Sequence, residues 1–67
     1  MDAVEQMEIL IETGYKCITY AYEGQFCTLI FSRDGVTKEK EIKIKRGTSD
    51  YLNANMYLKT LGKKSLR

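Results

Sequence analysis

Two short turns constrain this chain more than anything else in it: Gly24-Gln25 and Asp34-Gly35. Each is a two-residue connection of the kind that reverses a strand, because glycine accepts the positive φ such turns need. They divide residues 16–45 into three runs, 16–23, 26–33 and 36–45, the first two rich in aromatic and β-branched residues. Taken as hairpins, the turns predict a register. Tyr22 faces Cys27, Tyr20 faces Leu29 and Ile18 faces Phe31 in the first; Cys27 faces Ile42, Leu29 faces Lys40 and Phe31 faces Lys38 in the second. One face then collects Ile18, Tyr20, Tyr22, Cys27, Leu29, Phe31, Ile42 and Ile44, and the other takes Cys17, Thr19, Ala21, Phe26, Thr28, Ile30 and most of the charge. A one-residue slip would scramble this division, so it favours a three-stranded antiparallel meander with one buried face. Lys38 and Lys40 share the inner parity, which predicts that the sheet outruns its cover near Asp34, with their stems on apolar neighbours and ammonium groups in water.

Helical patterns flank the meander. Asp2 is placed to cap a helix over 3–13 whose stripe is Ala3, Met7, Leu10 and Ile11, with Val4 beside it and Gly14 as its stop. After Gly47, the run Thr48-Ser49-Asp50 offers capping residues for a second helix over 50–61. Its stripe is Tyr51, Ala54, Leu58 and Leu61, widened by Leu52 and Tyr57, with Asn53 and Asn55 looking outward. Gly62 ends it, and Ser65-Leu66-Arg67 is expected to fray. Both helices must cover the single apolar face, since charges and threonines are costly to bury. The expected fold is therefore one small α+β domain, a two-layer α-β-β-β-α sandwich with both helices on one face of the meander. Its 67 residues can bury only about 60% of their unfolded surface, which leaves such a domain in need of a staple or a partner.

Composition removes several function classes. No apolar run approaches the roughly 20 residues of a membrane span, and the acidic N-terminus lacks the basic start of a secretory signal. No membrane association is expected. The two cysteines cannot pair: in this register Cys17 lies opposite Ser32, about 17 Å along the strand from the pair that holds Cys27. Cys27 is expected to be a buried small hydrophobe and Cys17 a half-exposed thiol. Free thiols point to a reducing, cytoplasmic setting. Histidine is absent and no cysteines are closely spaced, so no zinc site, metal or cofactor is expected. Without histidine, Cys17, Cys27 and Ser32 have no evident base to activate them, and no enzyme is expected. Gly24, Gly35, Gly47 and Gly62 stand singly at turns and ends, so no phosphate loop is present. The alternation of Glu39 and Glu41 with Lys38, Lys40, Lys43 and Lys45 is what a protected edge strand carries.

Charge is divided unevenly. Residues 1–12 carry Asp2, Glu5, Glu8 and Glu12, whereas residues 38–67 carry nine Lys or Arg against Glu39, Glu41 and Asp50. The basic half includes Lys43, Lys45, Arg46, Lys63, Lys64 and Arg67, and the register sets Phe26 opposite Lys43 on the open face. An aromatic beside a cation is the minimal arrangement for stacking on a base while holding a phosphate. The α-β-β-β-α order resembles the double-stranded-RNA-binding domain across nearly the whole chain, by arrangement alone. That family grips phosphates with a lysine cluster at the start of its second helix. The matching stretch here, Gly47-Thr48-Ser49-Asp50-Tyr51-Leu52-Asn53, has no lysine and one aspartate, so the family's activity is not carried over.

The first strand suggests a different use. From Cys17 to Tyr22 it holds no charge, and an unprotected edge can pair with a second copy or a target protein. The expected function is a non-catalytic protein-binding module, dimeric or adaptor-like, in the manner of small inhibitors from phages and mobile elements. Its candidate contacts are Cys17, Thr19, Ala21, Phe26, Thr28 and Ile30. The alternative is nucleic-acid binding through Phe26, Lys43, Lys45, Arg46, Lys63, Lys64 and Arg67.

Overall fold

A computed structural model describes residues 1–62 of the chain. The elements run α1 (Ala3–Glu12), β1 (Lys16–Glu23), β2 (Phe26–Ser32), β3 (Lys40–Lys45) and α2 (Ser49–Thr60). The three strands form one antiparallel sheet in the order β1-β2-β3. Cys27, Leu29, Phe31, Ile42 and Ile44 on its inner face share one core with Ala3 and Met7 of α1 and Ala54 and Leu58 of α2. The α-β-β-β-α two-layer arrangement is as the sequence predicts. Tyr15, between α1 and β1, joins the core as well, a role its place beside the Gly14 turn did not suggest.

The two turns differ, and the difference decides the register. In Glu23–Phe26 the positive φ falls on the first central residue, Gly24 at 59°, as in a type II′ turn whose twist matches the strands. The expected pairs Tyr22–Cys27 and Tyr20–Leu29 follow. In the second turn the positive φ falls on the second central residue, Gly35 at 83°, and Val36 N donates to Arg33 O at 3.3 Å. That arrangement splays the flanking chain. Pairing therefore resumes only at Lys40, not Val36, and the second hairpin is shifted by two: Cys27 faces Ile44, Leu29 faces Ile42 and Phe31 faces Lys40. A shift of two keeps each side chain on its expected face while changing every partner. Phe26 thus lies opposite Lys45 instead of Lys43.

A bulge corrects the far end of β1. Pairing passes from Thr19–Ile30 directly to Cys17–Phe31, leaving Ile18 without a place in the ladder. Ile18, expected in the core, is 54% exposed and borders a shallow depression with Lys16, Ser32, Arg33 and Asp34. Cys17, expected opposite Ser32 on the open face, instead faces Phe31 and packs against the core. Both cysteines are free thiols, Cys27 buried and Cys17 half-buried.

Ala3 N meets Asp50 Oδ1 at the helix starts, and Ile11 and Leu61 at their ends line one hollow, so the two helices run side by side in the same direction. Asp2 caps α1, its Oδ1 accepting from Glu5 N at 2.9 Å. Thr48, the first of the three capping candidates, caps α2 through a 3.2 Å bond from Tyr51 N, and the helix starts at Ser49, one residue before the expected Asp50. Asp50 joins the two starts: its Oδ1 accepts from Ala3 N at 3.0 Å, setting a carboxylate between two positive dipole ends. At the opposite end α1 closes with Tyr15 N donating to Leu10 O (2.9 Å) and Gly14 N to Ile11 O (3.0 Å), the paired bonds of a Schellman stop. Arg33 Nη1 donates to Thr13 O at 2.6 Å with its guanidinium 4.9 Å over the Tyr15 ring, a cation at the negative end of α1. Leu52 and Leu61, assigned to the α2 stripe, are exposed, and Asn55, expected outward, is half-buried. The chain after Gly62, including Ser65-Leu66-Arg67 and the candidates Lys63, Lys64 and Arg67, lies outside the described residues.

Candidate functional site

The ladder sets the open face in three rows: Glu23, Phe26 and Lys45; Ala21, Thr28 and Lys43; Thr19, Ile30 and Glu41. Five of the six expected protein contacts, Thr19, Ala21, Phe26, Thr28 and Ile30, are therefore together, and the bulge removes Cys17 to the other side. Phe26 is 39% exposed. Although its direct partner is Lys45, the Lys43 ammonium reaches across diagonally to 5.5 Å from the ring centroid, within cation–π range. Thr28 is only 5% exposed, and among the described residues its Oγ1 has no hydrogen-bond partner. A hydroxyl in the middle of a sheet face, shielded by its neighbours, is what a second layer would ordinarily cover.

The basic candidates divide. Lys43 and Lys45 stand on the open face, but Arg46 has the opposite parity. Its guanidinium carbon lies 4.5 Å over the Tyr22 ring, while its N–H bonds Gln25 O at 2.7 Å across the hairpin end. Glu23 and Glu41 share the open face with the two lysines, so its charge is mixed.

Tyr20 and Tyr22, expected in the core, instead form a partly exposed cluster on the inner side of β1. Both helices pack on the β2–β3 side of the sheet, and β1 runs along the margin of their cover. Tyr20 and Tyr22 stay 39% and 37% exposed, their rings edge-on with centroids 5.5 Å apart. The Tyr22 hydroxyl meets that of Tyr51 on α2 at 3.3 Å. Nearby, Ile11, Tyr15, Lys16, Cys17 and Leu61 line a shallow apolar hollow. Tyrosine at two expected core positions was the available signal, because its polar tip favours the margin of a core.

Burial pushes the Cys27 thiol up, with Arg46 partly opposing it, so the sulfur stays protonated and inert. Burial, together with the Tyr22 hydroxyl contact, pushes Tyr51 up to about 12. Among the described residues no group of three or more Cys, Asp or Glu could hold a metal ion, and no helix is long and apolar enough to cross a membrane. No protein-family model, curated protein or solved structure matches the chain. The likeness to the double-stranded-RNA-binding domain accordingly remains one of element order.

Proposed function

We propose that this chain is a small cytoplasmic protein-binding module without catalysis of its own, which offers the β1 edge and adjoining open face to a partner polypeptide. The observation that carries this reading is that β1 is an edge strand with no charge from Cys17 to Tyr22, largely exposed at the margin of the helical cover. β3, the other edge, alternates exposed Lys and Glu with buried isoleucine, which is the usual protection against pairing. A partner strand beside β1 would gain main-chain hydrogen bonds, with Thr19, Ala21, Phe26 and Ile30 supplying specificity. The small core supports the same need for added burial. An inhibitor or adaptor that occupies a partner's surface, of the sort phages and mobile elements carry, suits these features.

The test is association of the whole chain, by light scattering and by capture of a target, for Ala21→Glu and Ile30→Glu. Ala21→Glu, at the edge, should lose association, and Ile30→Glu should lose it where the partner also covers the open face, both keeping the wild-type circular dichroism spectrum; association preserved in both would end this reading. Phe26 between Lys43 and Lys45 supports a second reading, a nucleic-acid contact, against which Glu23 and Glu41 weigh. It requires single-stranded nucleic acid to bind in about 50 mM salt, to release as salt rises, and to bind more weakly to Lys43→Glu. No binding at that salt would remove it.

A further inference from the structure

We infer that the partner of β1 is a second copy of this chain, joined edge to edge about a twofold axis through Tyr20 into one six-stranded sheet. The inference rests on the protein-binding reading above and names its partner. Its basis is that β1 is self-complementary. The bulge makes Ile18 and Thr19 share one ladder position, so β1 has seven positions, with Lys16 at one end, Glu23 at the other and Tyr20 at the centre. Antiparallel pairing with its own copy about Tyr20 therefore sets Lys16 opposite Glu23 of the second copy at both ends. Faces match throughout. Lys16 and Glu23 are both on the open face, Cys17 and Tyr22 both on the inner face, and Ala21 meets the Ile18–Thr19 bulge on the open side. A wrong register would set unlike faces together or leave the two terminal charges without partners.

Backbone direction agrees. A two-residue turn makes Glu23–Phe26 a hydrogen-bonded pair, and the alternation of an antiparallel ladder then turns the N–H and C=O of Tyr20 away from β2. At the twofold the two Tyr20 residues would exchange both bonds. The axis runs perpendicular to the sheet, so the helices of both copies stay on one side. The exposed Tyr20 and Tyr22 rings of each copy would then line the valley between the helical layers, a continuous aromatic strip where each monomer leaves a ragged margin.

Light scattering at about 100 µM, enough to populate even a dimer of about 10 µM Kd, should give twice the 7.7 kDa of one chain. Tyr20→Pro removes an outward N–H and leaves the β1–β2 ladder its bonds, so it should be a folded monomer. Lys16→Glu and Glu23→Lys should each weaken the dimer roughly tenfold through two like-charge contacts, and the double reversal should restore it to within about threefold. Should Tyr20→Pro not fold, the charge reversals decide alone. A wild-type monomer overturns the inference, as does a folded Tyr20→Pro dimer or a double reversal that restores nothing. A monomer that captures a foreign protein, and loses it on Ala21→Glu, overturns self-pairing while leaving the protein-binding reading intact. No association of any kind removes both.

Discussion

β3 and β1 are both edges of one sheet, yet they are built on different terms. β3 lies beneath both helices, hides Ile42 and Ile44, and shows Lys and Glu to water. β1 lies at the margin of the helical cover, hides little, and carries charge only at its two ends. The first arrangement makes an edge that holds its own domain together and refuses neighbours. The second leaves its side chains and its outer backbone edge largely exposed. The two edges thus differ in burial and charge: six residues with two buried isoleucines in β3, against eight with none fully buried in β1.

The largest expected contrast is between Phe31 and Tyr20. Phe31 is fully buried beneath the helices, and Phe31→Ala should cost about 3–5 kcal/mol. That is comparable with the whole stability of a domain this size, at about 0.1 kcal/mol per residue, so the variant should be largely unfolded in urea titrations at 25 °C. Tyr20→Ala should cost the monomer about 1 kcal/mol or less. Equal losses would mean that β1 is as much a part of the core as β3. Next is Asp50→Ala, which removes the carboxylate shared by the two helix starts. A charge-assisted bond of this kind contributes about 1.5–3 kcal/mol, at the low end here because the site is only partly buried, and the midpoint of chemical unfolding should fall accordingly. A midpoint unchanged by the substitution would mean that the helices are held over β3 by packing alone.

The smallest effect concerns the hydroxyl contact between α2 and β1. Tyr51 is pushed up to about 12 from an ordinary value of 10, by burial first and then by Tyr22. Its folded pKa is the higher one, so its contribution is complete below pH 10 and is lost as pH rises towards 12. Tyr51→Phe should flatten the alkaline fall in stability over that window in thermal melts. A fall of unchanged steepness would place the cause in other tyrosines and loosen the tie between β1 and the helical layer.

How far this could be read in advance depended on parity. The inner faces of β2 and β3 were legible, because Cys27, Leu29, Phe31, Ile42 and Ile44 alternate with polar or outward residues. The exact pairing of β3 was not: a shift of two preserves every face, and only the backbone of Asp34-Gly35 distinguishes the alternatives. The bulge was hidden for the opposite reason. Ile18, Tyr20 and Tyr22 alternate as a regular strand should, and nothing in their hydrophobicity says that Cys17 displaces Ile18 from the ladder. Of the candidate surface, Thr19, Ala21, Phe26, Thr28 and Ile30 were legible as a group. Arg46, grouped with the lysines by charge alone, follows the end of β3, where its guanidinium lies over the Tyr22 ring.

The Asp50–Ala3 bond has a consequence in time. It joins residues 47 apart in sequence, whereas the meander between them is built from local reversals. Closing a loop of that length costs chain entropy before any contact offsets it, so the hairpins are expected to form on the fast local scale and the two helices to meet last. On a ribosome the asymmetry is sharper. α1 precedes every element that covers it, so its apolar stripe stays open until β3 and then α2 have followed.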